Sequence, residues 1–354
     1  MIILQKNKEE LEKQVEEMKK NGIPVFSFSR LGTYNDCPYA YKLGYVDDIE
    51  GLDNVYSLLG GAIHDGLEDI YNGKENKLQE KFDNQYNECI KQHLYFPKES
   101  TEESYLANIN HYIKYFEKDD LKSLNEYMFL IDINGVNMVG YIDRVTKDPD
   151  GDGLRIIDYK TSTKYSKSTL VEHGRQLVLY AIAVEKISGL KVTSLCWNML
   201  KYATVKYLGK KKFKRKEGTI YERNKIIATF RAELIGAFEE IGYSEDEAIE
   251  KYYEALISNH IPDEISHLIE IKDGYQYYPY NDETKNDLIQ YVTETVDKIK
   301  NEKEWKNKKI DKQSDFMCLT LCNYRKICPH IKKYLETENE CEDINLMDIE
   351  DLMN

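Results

Sequence analysis

The stretch Glu126-Tyr127-Met128-Phe129-Leu130-Ile131-Asp132-Ile133, then Asn134-Gly135, then Val136 to Val145, decides the fold of this chain. Its first part is apolar and predicts a strand. Asn-Gly between two such runs predicts a tight hairpin, because both residues tolerate the positive φ that a type I′ turn needs. The return strand carries Gly140-Tyr141-Ile142-Asp143. A polar turn, Asp148-Pro149-Asp150-Gly151-Asp152-Gly153, leads into a third strand, Leu154 to Lys160, which ends on Asp158-Tyr159-Lys160. Alternate residues of a strand share a face, so Asp158 and Lys160 point the same way. Asp143 lies on the adjacent antiparallel strand, so the two carboxylates can meet at one place on the sheet.

Two carboxylates and an ammonium at one point suit phosphodiester hydrolysis. A divalent ion held by the acids polarises a phosphoryl oxygen and acidifies a bound water. The ammonium orients the water or offsets charge growing on the phosphate. His64, in the helix opened by Gly60-Gly61-Ala62-Ile63, offers an imidazole ligand, which favours Mn²⁺ over Mg²⁺. The turn at 148–153 imitates half of an EF-hand loop. Its twelfth position is Tyr159, where calcium needs a bidentate Glu, so a plain turn is expected there.

Around this centre the pattern predicts helices at 5–20, from Ser29 through Cys37, from Gly60, over about 76–124, and at about 170–187, 222–242, 245–258 and 283–303. Further strands are expected at Phe26–Ser29, with Ser29 capping the next helix, at Val192–Leu200 and at Thr204–Leu208. The domain plan is an N-terminal charged arm (1–25), a catalytic domain (26–335) with an insertion at about 201–300, and an acidic tail (336–354) expected to be disordered.

The 354 residues carry a formal charge of −14, awkward for a protein that meets nucleic acid. More than half of it sits in the tail, which holds eight acids and no Lys or Arg. Positive charge gathers instead at Lys210, Lys211, Lys212, Lys214, Arg215 and Lys216, near Tyr202, Tyr207 and Phe213. Local patches decide whether phosphate can approach, and aromatics among basic residues suit a single strand with stacked bases. A solvated hairpin is the other reading of this segment. No apolar run approaches the length of a membrane span, and the start is too short for a secretory signal, so a cytoplasmic protein is expected.

Seven cysteines without a signal peptide argue for metal binding over a disulfide scaffold. Cys37 stands near the start, before Pro38. Cys318, Cys322 and Cys328 cluster near the end, spaced x3 and x5. Cys89, Cys196 and Cys341 are unassigned, and Cys196 is expected in a core strand.

The order of these motifs resembles the RecB-like branch of the PD-(D/E)XK nuclease superfamily. There a helix His, a Gly-x-Ile-Asp strand, an Asp-x-Lys and a Gln-x-x-x-Tyr helix follow in sequence. Gln176-Leu177-Val178-Leu179-Tyr180 is that last element here. The resemblance implies an α/β fold with a central mixed sheet flanked by helices. It implies His64, Asp143, Asp158 and the carbonyl of Tyr159 as ligands of Mg²⁺ or Mn²⁺, Lys160 as catalytic, and Gln176 and Tyr180 lining the site. The cysteines resemble the iron–sulfur subset of the branch, which includes the AddB nuclease domain and the CRISPR adaptation nucleases. By that likeness Cys37, Cys318, Cys322 and Cys328 hold a [4Fe–4S] cluster that clips the two chain ends together. The usual trio spacing is x2 and x5, one residue shorter than here. A Cys₄ zinc site is the rival.

The expected activity is a metal-dependent deoxyribonuclease, an exonuclease on single strands or DNA ends, in recombination, repair or phage DNA metabolism. No Walker A motif is present, so ATP-driven unwinding would come from a helicase or recombination partner. The competing classes are a non-catalytic DNA-binding subunit of a recombination complex and a zinc-stabilised regulatory protein.

Overall fold

The computed structural model describes residues 8–311 and 314–337. Helix α1 (Lys8–Lys20) and strand β1 (Val25–Phe26) come first, followed by α2 (Phe28–Asp36) and α3 (Pro38–Tyr45). Then come α4 (Val55–Tyr71), α5 (Leu78–Lys91) and α6 (Glu99–Lys114). The next three strands are β2 (Ser123–Ile133), β3 (Val136–Lys147) and β4 (Leu154–Lys160). After α7 (Leu170–Ser188) come β5 (Val192–Tyr207), β6 (Tyr221–Glu222) and the helices α8 (Ile226–Thr229), α9 (Arg231–Glu240), α10 (Glu245–Ser258) and α11 (Asp263–Ser266). Strand β7 (Ile269–Tyr278) and α12 (Asp282–Asn301) complete the core. Residues 329–337 are helical. Most of the tail, with Cys341, lies outside the described residues.

The seven strands form one mixed sheet. Asn134 and Gly135 both have positive φ (48° and 81°), as the turn requires, and this sets the β2–β3 register at Ile133↔Val136. β4 runs antiparallel to β3 but pairs with it only from Arg144↔Ile157 to Lys147↔Leu154. β1 pairs with β3 at Asn137 and Met138, parallel. The two strands thus take opposite ends of the β3 pairing, and between them β3 is left open around Asp143. β4 continues along β5 as a parallel pair, with Lys160 opposite Met199.

Both faces of the sheet are covered. On one, Leu177 to Val184 of α7 and Leu288, Val292 and Val296 of α12 pack on Met138, Ile142, Ile156 and Trp197. On the other, Leu59, Ile63, Leu67 and Ile70 of α4 pack with α5 and α6 on Ile157, Tyr159, Cys196 and Leu200. Burial on both faces explains the adjacent apolar residues Ile156 and Ile157 of β4, and the buried Arg155 beside them is paired with Asp148 and Asp150.

Four local expectations change. Ser27, not Ser29, caps α2, accepting a 3.1 Å hydrogen bond from the Arg30 amide, because the preceding strand stops at Phe26. Cys37 lies between α2 and α3 in extended backbone, where Pro38 starts the next helix. The two strands expected over 192–208 are one, β5, whose register shifts between Asn198 and Ala203. β7 falls where the residue pattern carries no strong signal. It pairs antiparallel with β5, so residues 201–300 return to the central sheet. The N-terminal arm packs Leu11 and Val15 against Val25 and Met128.

Helix α7 is the helix most deeply committed to this core. Leu177→Ala, at a fully buried position, should lower the unfolding free energy by about 2–5 kcal/mol. Val171→Ala on the same helix, 48% exposed, should change it by about 0.5 kcal/mol or less. Urea denaturation of both variants checks the difference.

Candidate functional site

Where β4 leaves β3, backbone groups lose their ladder partners, and side chains must satisfy them. The Tyr159 amide does so by donating to Asp143 Oδ2 at 2.7 Å. The same oxygen lies 3.5 Å from His64 Nδ1. His64 is placed by α4, whose buried stripe fixes its rotation. The helix start is fixed by Asn54, which accepts from the Tyr56 and Ser57 amides in a capping box. Asp158 is almost fully buried, and its Oδ2 lies 2.6 Å from Lys160 Nζ. Lys160 Nζ in turn reaches Gln176 Oε1 at 3.5 Å. Gln176 Nε2 donates to the Tyr180 hydroxyl at 2.8 Å, an i,i+4 contact on α7. So His64, Asp143, Asp158, Tyr159, Lys160, Gln176 and Tyr180 meet at one opening in the sheet.

Burial and charge oppose one another here. Burial pushes Asp158 above the usual carboxylate range; Lys160 offsets part of that push, and Asp143 adds to it. Burial also acts against ionised Asp143, but His64, Lys160 and the Tyr159 amide outweigh it and hold its pKa low. Lys160 is penalised by burial, yet the Asp158 carboxylate keeps it firmly protonated. His64 is held above its ordinary pKa because the pull of Asp143 exceeds the cost of burial.

Sequence reasoning missed Glu126, which it took only as the start of an apolar strand. One ligand atom each from His64, Glu126 and Asp143 lie within 4.8 Å of one another. A signal was present. A two-residue turn at Asn134-Gly135 pairs residues whose numbers are symmetric about it, and that symmetry sets Glu126 opposite Asp143. The neighbouring Arg144 is buried, stacks on Tyr71 and forms a two-bond pair with Asp119.

The cysteines of the two chain ends converge. Cys37, Cys318, Cys322 and Cys328 line one cavity of about 220 Å³, with Ala40, Leu43 and Ile331 among its walls. All four are free thiols. Backbone amides donate to two of the sulfurs, Lys308 to Cys37 at 3.3 Å and Tyr324 to Cys322 at 3.4 Å. Burial raises the pKa of Cys318 and Cys322, and the neighbouring thiols raise it further. The segment carrying the trio also grips the approach to α4. Arg325 donates to the carbonyls of Leu52 and Asp53, and Asn54 donates to that of Leu321.

The basic segment lies apart from the carboxylates. Met199, opposite Lys160, is eight residues from the end of β5 at Tyr207, roughly 26 Å along an extended strand. Lys211 pairs with Glu239, and Arg215 with Glu233 of α9. The Lys210 amide donates to Glu240. Lys212, Lys214 and Lys216 are exposed.

The link between His64 and Asp143 can be read in solution without metal. Asp143→Asn removes the carboxylate but keeps the shape, leaving burial as the dominant influence on the imidazole. The His64 pKa should then fall from above its ordinary value to below it, so the ring loses its proton at lower pH. A nitrogen-detected NMR titration of metal-free protein measures this, and an unchanged midpoint would refute the coupling.

Among the described residues no helix is long and apolar enough to cross a membrane. No curated protein matches the chain. The sequence model of the PD-(D/E)XK nuclease superfamily matches residues 25–329, a span that holds the whole sheet from β1 to β7 and every residue of the opening. With that match over most of its length, and a central mixed sheet flanked by helices, the chain belongs to the PD-(D/E)XK nuclease superfamily.

Proposed function

We propose that this chain is a Mg²⁺- or Mn²⁺-dependent deoxyribonuclease that acts as an exonuclease on single-stranded DNA or DNA ends. The observation that carries the reading is the meeting of Asp143, Asp158 and Lys160 at the point where β3 and β4 part. His64, Asp143, Asp158 and the Tyr159 carbonyl would hold the cation, and its ligand chemistry of oxygen with one imidazole suits Mg²⁺ or Mn²⁺. When bound, that ion polarises the scissile phosphoryl group and acidifies a water. Lys160, fixed by Asp158, orients the attacking water and offsets developing charge. Gln176 holds the Tyr180 hydroxyl and Lys160 in register. The donors present fit the cation: they meet at one opening, two of the four are carboxylates, and burial makes unpaired charge costly there. A non-catalytic DNA-binding subunit would not need this acid–lysine set.

The four cysteines are proposed to hold a [4Fe–4S] cluster. The four cysteines line one cavity of about 220 Å³, and amide N–H groups aimed at sulfur are the usual way a protein tunes such clusters. The role is structural. The cluster ties the C-terminal segment to the residues that start α4, and through α4 to His64. Place in recombination, repair or phage DNA metabolism, with a helicase partner for unwinding, follows from the family resemblance.

End-labelled single- and double-stranded DNA with Mg²⁺ or Mn²⁺ tests the activity. Asp158→Ala should abolish cleavage and leave the fold intact; full activity with fresh Mn²⁺ would refute the assignment. Lys160→Ala should lose most of the rate but keep metal binding. Cys322→Ser should lower iron content and thermal stability together, whereas zinc without iron in the unmutated protein would replace the cluster with the rival. Lys212 and Lys214 are the proposed phosphate contacts of the basic segment. Changing both to Ala should reduce the salt slope of single-strand binding by about 0.7 per lost contact, read by fluorescence anisotropy.

A further inference from the structure

Ile142 and Val145 of β3 both pack on the α7 side of the sheet. Strict alternation would place residues three apart on opposite faces. The departure falls at Asp143 and Arg144, and it turns both residues toward α4. Asp143 reaches His64, and Arg144 reaches Tyr71. His64 and Tyr71 share one face of α4, about two turns apart. Two neighbouring residues of β3 thus hold α4 at two points, and only the first of them carries the chemistry of the opening.

The second point is built with more than packing requires. The Arg144 guanidinium lies 3.7 Å from the Tyr71 ring centroid, a cation–π stack. It donates to both oxygens of Asp119, at 2.6 and 2.8 Å, in the forked geometry that lysine cannot reproduce. The Tyr71 hydroxyl donates to the same carboxylate at 3.4 Å. Beside them Lys118 Nζ donates to the Ile70 carbonyl at 2.8 Å, and Asn125 Nδ2 donates to Asn72 Oδ1 at 2.9 Å. Arg144 is 1% exposed. Burying a guanidinium is costly, and an apolar side chain often serves stability as well or better. Nor is its charge what serves Asp143, since the charges that act most strongly on that carboxylate are His64 and Lys160. Geometry remains. Asn54 and Leu321 hold the N-terminal end of α4, the Arg144 group holds the C-terminal end, and His64 lies between.

We infer that Arg144, gripped by Asp119 and stacked on Tyr71, is a positioning residue that sets the separation of His64 from Asp143, and with it the cation affinity of the opening. The inference rests on the reading of His64 and Asp143 as cation ligands. Arg144 acts through α4, not on the reacting atoms.

Mn²⁺ binding to the full chain without DNA, followed by the electron paramagnetic resonance of free Mn²⁺, tests this. Arg144→Lys keeps the charge but loses the fork and the planar stack. It should weaken Mn²⁺ binding by about tenfold or more, the usual effect of removing support from a metal ligand. Asp119→Asn, at the less buried partner, and Tyr71→Leu should act in the same direction. Tyr71→Phe, which keeps the ring, should bind as the unmutated chain does. Cleavage by Arg144→Lys should recover as Mn²⁺ is raised, with KM for DNA unchanged. Leu234→Ala, at a buried position of the separate cluster around α9, lowers stability and should leave Mn²⁺ affinity as it is. Unaltered affinity in Arg144→Lys and Asp119→Asn, or an equal loss in Leu234→Ala, overturns the inference. If Arg144→Lys does not fold, Asp119→Asn and the contrast between Tyr71→Leu and Tyr71→Phe decide. Absence of both Mn²⁺ binding and DNA cleavage in the unmutated chain would instead overturn the nuclease reading on which the inference rests.

Discussion

Three carboxylates, Glu126, Asp143 and Asp158, are gathered in a partly dry place that offers one ammonium. That conflict is the constraint on which the rest of the structure turns. A buried carboxylate needs a partner or a proton. Asp158 takes Lys160, and Asp143 takes His64 and the Tyr159 amide. Glu126 is left with a strained backbone and only distant positive charge. A protein selected for stability alone would replace such groups with apolar ones of similar size. Their presence marks a site where charge has work to do in function.

The architecture around the conflict is made to hold it open. If β4 paired with β3 along its whole length, the Tyr159 amide would belong to the ladder and Asp143 would lose its donor. Pairing stops at Arg144↔Ile157, and β4 is carried onward by β5 instead. Helices on both faces fix the remaining pieces: α7 brings Gln176 and Tyr180 to Lys160, while α4 brings His64 to Asp143. The segment that carries Cys318, Cys322 and Cys328 braces α4 from its N-terminal side through Arg325 and Asn54. Residues 321–325 therefore bear on the geometry of the site without touching it.

Much of this was legible from residues alone. The Asn134-Gly135 turn, the strands beside it and the Asp158-Tyr159-Lys160 terminus follow from local patterning, because turn chemistry and alternation act over a few residues. β7 was not legible. Its pairing with β5 joins residues some seventy apart in sequence, and its outward residues are polar enough to hide the pattern. The shift of the cap from Ser29 to Ser27 depended on where a two-residue strand stops, which tertiary pairing with β3 decides. Glu126 was hidden for a different reason. Its position is fixed by the turn, but its role appears only when the register is followed through to Asp143. The pairing of Lys211 and Arg215 with α9 acids was invisible too, since nothing in a basic run announces which helix will neutralise it.

The most direct test of the account is where metal sits. Crystals of the chain soaked in Mn²⁺ and measured near the manganese absorption edge locate the ion by its anomalous scattering. The account predicts density in the opening between β3 and β4, in contact with Asp143 and with at least one of His64 and Asp158. Strong anomalous density elsewhere on the protein, with none at Asp143, would contradict it.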